Sequence, residues 1–334
     1  MPALPGGLEE AQPGWYRIAQ GGGVQMANGV AVKSPASSPA RRMTMQKLMR
    51  RRSTVAFALA LPLIVLVAGL VIYPAFYAIY LSMLDRTMEN FTGLRNILFL
   101  LHFDTFWMVV KQSCIFAVTA VIFKALIGFV SSHFVHNLPA KGQRKWRGML
   151  LVPWVIPTAM STIAWFWLFD PQYSAINWIL RHFGIDNIPW LGVPGWARFS
   201  VILVNVWYGA PFFLIMYLAA LKSVPDQLYE AAAIDGANWW QKVWYVTLPM
   251  MRNIIAITML FSLIVTFANF DIVRILTYGG PVDSTHIFAT WAFALGIQGN
   301  NIPMGASVSL FMLPILGVAA FFILRDITKR GSSV

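Results

Sequence analysis

Seven residues set into two of the most apolar runs of the chain could hold a polyhydroxylated solute by amide, hydroxyl and aromatic contacts. Asn205, Tyr208, Gly209 and Phe212 fall on one stripe at helical spacing, and Ser262, Thr266 and Asn269 fall on another. Polar side chains inside apolar segments face a cavity or another helix, because an unpaired amide away from water costs about 1 to 3 kcal/mol. Two readings therefore stand side by side: the stripes line a solute path, or they join helices to one another.

Other reactive types are sparse. Lys124 lies inside an apolar run, where it either snorkels to lipid phosphate or lines a cavity. His133 and His136 are spaced i, i+3, but no carboxylate or cysteine joins them as a metal set. The single cysteine, Cys114, sits in an apolar run and reads as a buried small side chain. Asp271 and Arg274 are placed to pair at the end of a span. No nucleophile, base or metal cluster supports an enzyme. An ion-coupled secondary transporter, the alternative from another class, would need acidic residues in mid-span, and none lies there.

The elements that position these residues are membrane helices. The chain is 58% hydrophobic and 11% charged over 334 residues, against about 25% charged in soluble domains. This composition predicts an integral membrane protein; its helical runs make it all-α, and no cofactor or metal is expected on this chain. Six runs reach the length of about 20 residues that a span requires: 55–82, 106–135, 148–169, 199–221, 253–270 and 304–324. A further run from His286, HIFATWAFALGIQ, is shorter and polar at its ends, and reads as an interfacial or partly buried helix.

Basic residues orient the spans. Arg41, Arg42, Lys47 and Arg50 to Arg52 precede the first; Lys141, Arg144, Lys145 and Arg147 follow the second; Lys222, Lys242 and Arg252 flank the segment between the fourth and fifth; Arg325, Lys329 and Arg330 close the last. All fall on one side, so both termini are expected in the cytoplasm of a bacterial or archaeal cell and the protein in its inner membrane. The net charge of +12 then reflects topology, and no nucleic-acid partner is expected. Residues 1–52, rich in Gly, Pro, Ala and Ser before the basic flank, read as a disordered tail. The stretch MTMQKLMRRRSTVAF reads as a signal anchor, with Met26, Met43 and Met45 as alternative starts to Met1. Residues 53–330 form the transmembrane domain.

Residues 229–249, YEAAAIDGANWWQKVWYVTLP, belong to the segment 222–250 and stand between apolar runs. Ser223 is expected to cap a helix beginning near Pro225, and Gly236 to end it. Asn238 and Gln241 have the spacing of a capping box for a second short helix, and Pro249 is expected to reset the chain before the fifth span. The alanines 231 to 233 leave a bare surface for close approach by another protein, although an ordinary amphipathic linker would read similarly.

Glu230-Ala231-Ala232, then three residues, Gly236, nine residues and Val246-x-Leu248-Pro249, resemble the EAA loop of binding-protein-dependent ABC importer permeases. LKSVPDQLYEAA, IDGA and LTYGGPVDST are similar to segments of the carbohydrate-type members, nearest to the first, maltose-permease-F-like subunit. Val246 stands where isoleucine is usual, and no second proline follows Pro249. The resemblance covers residues of about 50 to 330.

The resemblance implies a six-span permease whose loop between helices 4 and 5 docks into a cleft on a cytoplasmic ATPase subunit, two of which belong to the assembly. Glu230, Ala231, Ala232, Asp235, Gly236, Leu248 and Pro249 would make or shape that contact. ATP and magnesium would be held by the ATPases, since no P-loop occurs here. A second, homologous permease and an external solute-binding protein complete the implied assembly, with membrane lipid around it. Asn205, Gly209, Ser262 and Asn269 coincide with sugar-contacting or neighbouring positions of that family. Val265, Thr266 and Phe212 differ from the maltose permease, so the resemblance implies a sugar, oligosaccharide, polyol or glycerol phosphate without naming one.

Overall fold

A computed structural model describes residues 52–331; the expected tail and anchor flank before Arg52 lie outside the described residues. Internal contacts divide the chain at Pro62. Of the first unit, the described part is helical stretch 52–62; the second unit runs from Leu63 onward.

Among the described residues, five helices are long and apolar enough to cross a membrane: α1 (Val55–Ser82), α2 (Asp104–His136), α4 (Pro194–Lys222), α6 (Trp239–Phe267) and α9 (Ile302–Arg325). Between them lie α3 (Thr158–Leu168), α5 (Asp226–Ile234), α7 (Asp271–Leu276) and α8 (Phe288–Gln298). The described residues form no β-strand beyond the isolated Leu84–Phe91 bridge.

The run 148–169, expected as a single third span, is not one helix. It breaks into Ala140–Leu150, Val152–Val155 and α3. Pro157 is the cause: the residue before a proline is driven out of the α region, and Ile156 is extended at φ −72°, ψ 133°. The run from His286 forms α8, which is too short to span and is buried through Phe288 and Trp291. Gly296 and Gly305 let α8 lie directly on α9, a Cβ on Gly296 falling 3.3 Å from the Gly305 Cα.

Prolines in two long helices are accommodated by a widened turn. In α1 the Tyr73 amide reaches the Ala68 carbonyl, and in α6 the Leu248 amide reaches Val243; each π-turn stands immediately before a proline, Pro74 and Pro249. Pro249 therefore does not reset the chain, contrary to expectation. The second short helix runs on through it into the span.

The core forms where α2 packs along α4. Gly128 permits this, since a Cβ there would overlap Phe213. Val121, Phe213, Tyr217, Leu221 and Met251 then join α2, α4 and α6 in one buried cluster. A second cluster joins Phe106 and Val109 of α2 to Phe267, Phe288, Trp291 and Val308.

Candidate functional site

The segment after α4 is an elbow built from backbone hydrogen bonds. Ser223 does not start α5; its hydroxyl donates to the Ala220 carbonyl and closes α4, while Pro225 occupies the N-cap of α5. At the other end of α5, the Ala237 amide reaches the Ala232 carbonyl (2.9 Å) and the Gly236 amide that of Ala233 (3.1 Å). This paired closure requires a left-handed residue, and Gly236 has φ +77°. Two residues on, the Gln241 amide donates to Asn238 Oδ1 (2.9 Å) and the Asn238 amide to Gln241 Oε1 (2.7 Å), the reciprocal cap expected from their spacing.

Glu230, Ala231, Asp235, Gly236 and Pro249 are exposed, and Ala232 and Leu248 are half-buried. Around them stand Ile234 (86% exposed), Trp240, Trp244 and Tyr245 (79%). Beneath the elbow is a cavity of about 180 Å³ lined by His133, His136, Tyr229, Trp239, Lys242 and Thr247. It places the basic connector after α2 at the same end of the bundle as the elbow. Across its floor the Tyr229 hydroxyl meets Thr247 Oγ1 at 3.0 Å, and Thr247 donates on to the Lys242 carbonyl. The sequence carried no signal for this link, because the pair becomes adjacent only after the chain turns at Gly236.

The polar stripes converge on α2. Thr266 donates to the Ser262 carbonyl (2.6 Å) and accepts from Lys124 Nζ (2.9 Å). Lys124 is 4% exposed and does not snorkel, which removes the lipid-phosphate expectation. Its chain lies on Gly209, where a Cβ would come within 2.6 Å of Lys124 Cε. Asn205, one turn earlier on α4, is 2% exposed, and its Oδ1 has no partner among the described residues. Tyr208 is half-buried, and Phe212 packs its ring against Trp154 (6.0 Å) and Phe261 (5.2 Å). Asn269 stands apart in role: its Oδ1 accepts from the Ile272 amide at 3.3 Å, bracing the start of α7.

At the opposite end, LTYGGPVDST closes on itself. Thr277 and Thr285 hydroxyls meet at 2.7 Å, Thr285 Oγ1 donates to the Gly280 carbonyl, and Arg198 Nε donates to the Ser284 carbonyl. Gly279, at φ +91°, leaves room for the His286 ring where a side chain would overlap it. Burial depresses the His286 pKa; Asp283 opposes that shift and Arg274 adds to it. Arg274 does not pair with Asp271: the guanidinium lies over Tyr278 (4.7 Å) and Phe293 (5.1 Å) and donates to Gln298. No group of three or more metal-ligating side chains occurs among the described residues.

A helical bundle with several apolar helices of membrane-spanning length, a glycine elbow at one end and polar stripes inside defines a multi-pass membrane protein. The chain belongs to the family described as binding-protein-dependent transport system inner membrane component, whose pattern matches residues 125–331. Members of this family are the non-catalytic permease subunits of ABC transporters, in which ATP is hydrolysed by a separate subunit. The chain is 32% identical to the trehalose/maltose transport system permease protein MalF of Thermococcus litoralis over 80% of its own length and 92% of that protein. It is 30% identical to the diacetylchitobiose uptake system permease protein DasB of Streptomyces coelicolor over 77% of this chain and 79% of that one. The sulfoquinovosyl glycerol transport system permease protein SmoG of Agrobacterium fabrum is 26% identical, with 83% and 91% covered. In fold it is similar to a chain of a bacterial ABC transporter that imports the acidic polysaccharide alginate, at TM-score 0.70 and 22% identity over 85% of this chain and 98% of that one.

Proposed function

We propose that this chain is the first of two permease subunits of an ATP-driven saccharide importer, coupled to its ATPases through the elbow at Gly236. The observation that carries the proposal is the exposed α5 with its left-handed glycine stop, held to the start of α6 by Tyr229 and Thr247. Force on α5 then reaches a span directly. Sugar-transporting relatives supply the solute class, and the amide and hydroxyl stripes of α4 and α6 fit it.

In this reading the elbow and both termini are cytoplasmic, and a second homologous permease lies alongside in the inner membrane. Two ATPase subunits hold ATP and magnesium. A solute-loaded binding protein docks at the end carrying the Thr277–Thr285 loop. Closure of the ATPase pair pushes on Glu230, Ala231, Ala232 and the exposed aromatics, and the solute path along α4 and α6 opens outward. Moving a two-state equilibrium from 1:99 to 99:1 takes about 5.5 kcal/mol of differential binding, so the contact at α5 must differ between the two states. The ion-coupled alternative finds no support, since no buried Asp or Glu occurs among the described residues.

The test is co-purification with the neighbouring permease, ATPase and binding protein, followed by reconstitution in proteoliposomes. Saccharide-loaded binding protein is expected to stimulate ATP hydrolysis and uptake together. Uptake that follows an ion gradient and ignores ATP would overturn the proposal.

A further inference from the structure

Lys124 is a buried amine with no counter-charge among the described residues. It lies well inside α2, covered by α4 and α6, and its one side-chain bond is to Thr266 Oγ1. Because the Thr266 proton is committed to the Ser262 carbonyl, that oxygen is a pure acceptor for the ammonium. Two of the three ammonium protons have no partner among the described residues, and no described carboxylate lies within 4.0 Å. Such a group is stable in a low-dielectric setting only when paired or well hydrogen-bonded.

The surroundings are shaped for this side chain. Gly209 is the point at which α4 makes room for it, and Asn205, on the same stripe, holds an unpartnered Oδ1. Gly209, against which the Lys124 chain lies, and Asn205 are four residues apart on α4, about one helical turn. That combination fits a solute bearing both an anionic group and hydroxyls: the ammonium compensates the anion, and the amide oxygen accepts from a hydroxyl. A neutral sugar would use the amide and leave the charge uncompensated.

We propose that Lys124 is the counter-charge for a carboxylate or sulfonate on the transported saccharide, so that this permease favours acidic over neutral sugars. The inference rests on the saccharide-importer reading above. The full complex with its binding protein, in proteoliposomes, is offered maltose and trehalose as neutral probes, and digalacturonate and a sulfonated hexose as acidic ones. Wild type is expected to take up an acidic probe, and Lys124→Met to lower that uptake per assembled complex by about tenfold or more, the loss of one charge-assisted contact. Lys124→Gln, which keeps a polar group of shorter reach, is expected to do the same, and assembly is measured by co-purification for both. Wild-type uptake of neutral probes alone, or acidic uptake per complex unchanged in either variant, would overturn the inference and leave the importer reading standing. Uptake of no saccharide at all would overturn both.

Discussion

The hydroxyl of Tyr229 lies 3.0 Å from Oγ1 of Thr247, joining the middle of α5 to the widened turn of α6 across the elbow at Gly236. Thr247 in turn donates to the Lys242 carbonyl. Removing one end of this chain should loosen α5 without unfolding the bundle. Tyr229→Phe is expected to cost about 1 kcal/mol locally. Faster amide exchange over Asp226–Ile234, with the exchange of α4 unchanged, is the expected signature; unaltered α5 protection would show that the link carries no load.

Gly236→Val tests the elbow itself. Nothing lies within 4 Å of a Cβ at this position, so the cost comes from φ +77° alone, about 1 kcal/mol or more. Protein levels should stay near wild type while more ATP is hydrolysed per solute imported. A fully coupled Gly236→Val carrier would remove the left-handed turn from the mechanism.

Glu230 is exposed and makes no ion pair among the described residues. Reversing its charge, Glu230→Lys, should therefore leave membrane insertion intact and reduce recovery of the ATPase subunit in pull-downs from membranes. Equal recovery and equal uptake would exclude it from the docking contact.

The two asparagines should part company. Asn269→Leu removes the acceptor that braces the Ile272 amide, so it is expected to lower thermal stability by about 1 kcal/mol, with apparent solute affinity retained in surviving complexes. Asn205→Leu removes an unpartnered buried amide and should reduce uptake several-fold, by the modest worth of one hydrogen bond, with assembly unchanged. The reverse pattern would exchange their roles.

His286 sets a pH dependence. Its pKa in the folded protein lies below the ordinary 6.5, so the unfolded chain binds the proton first as pH falls. Folding stability should decline as pH drops through 6.5 and level off below the depressed value, where both states are protonated. Asp283 limits the effect and Arg274 enlarges it. His286 Nδ1 meets the Thr290 hydroxyl at 3.1 Å, so His286→Gln, which keeps a hydrogen-bonding group there, should flatten the melting temperature between pH 7.5 and 5.5; an unchanged slope would assign the dependence elsewhere.

The sequence by itself determined the helical membrane class, the long apolar runs, the Gly236 stop and the Asn238–Gln241 cap. Each of these depends on composition or on residues a few positions apart, and such local preferences survive into any tertiary setting. The break at Pro157 was legible in principle from the same local rule, but the apolar count over 148–169 masked it. Tertiary structure decided what helical spacing leaves open. A stripe states which residues share a face and not which helix that face meets. Only the packing of α2 on α4 and α6 placed Lys124 between Gly209 and Thr266 and left the Asn205 Oδ1 without a partner among the described residues, and only the approach of α8 brought Phe293 under Arg274. These are contacts between residues up to 142 positions apart, and nothing in their local sequence encodes the meeting.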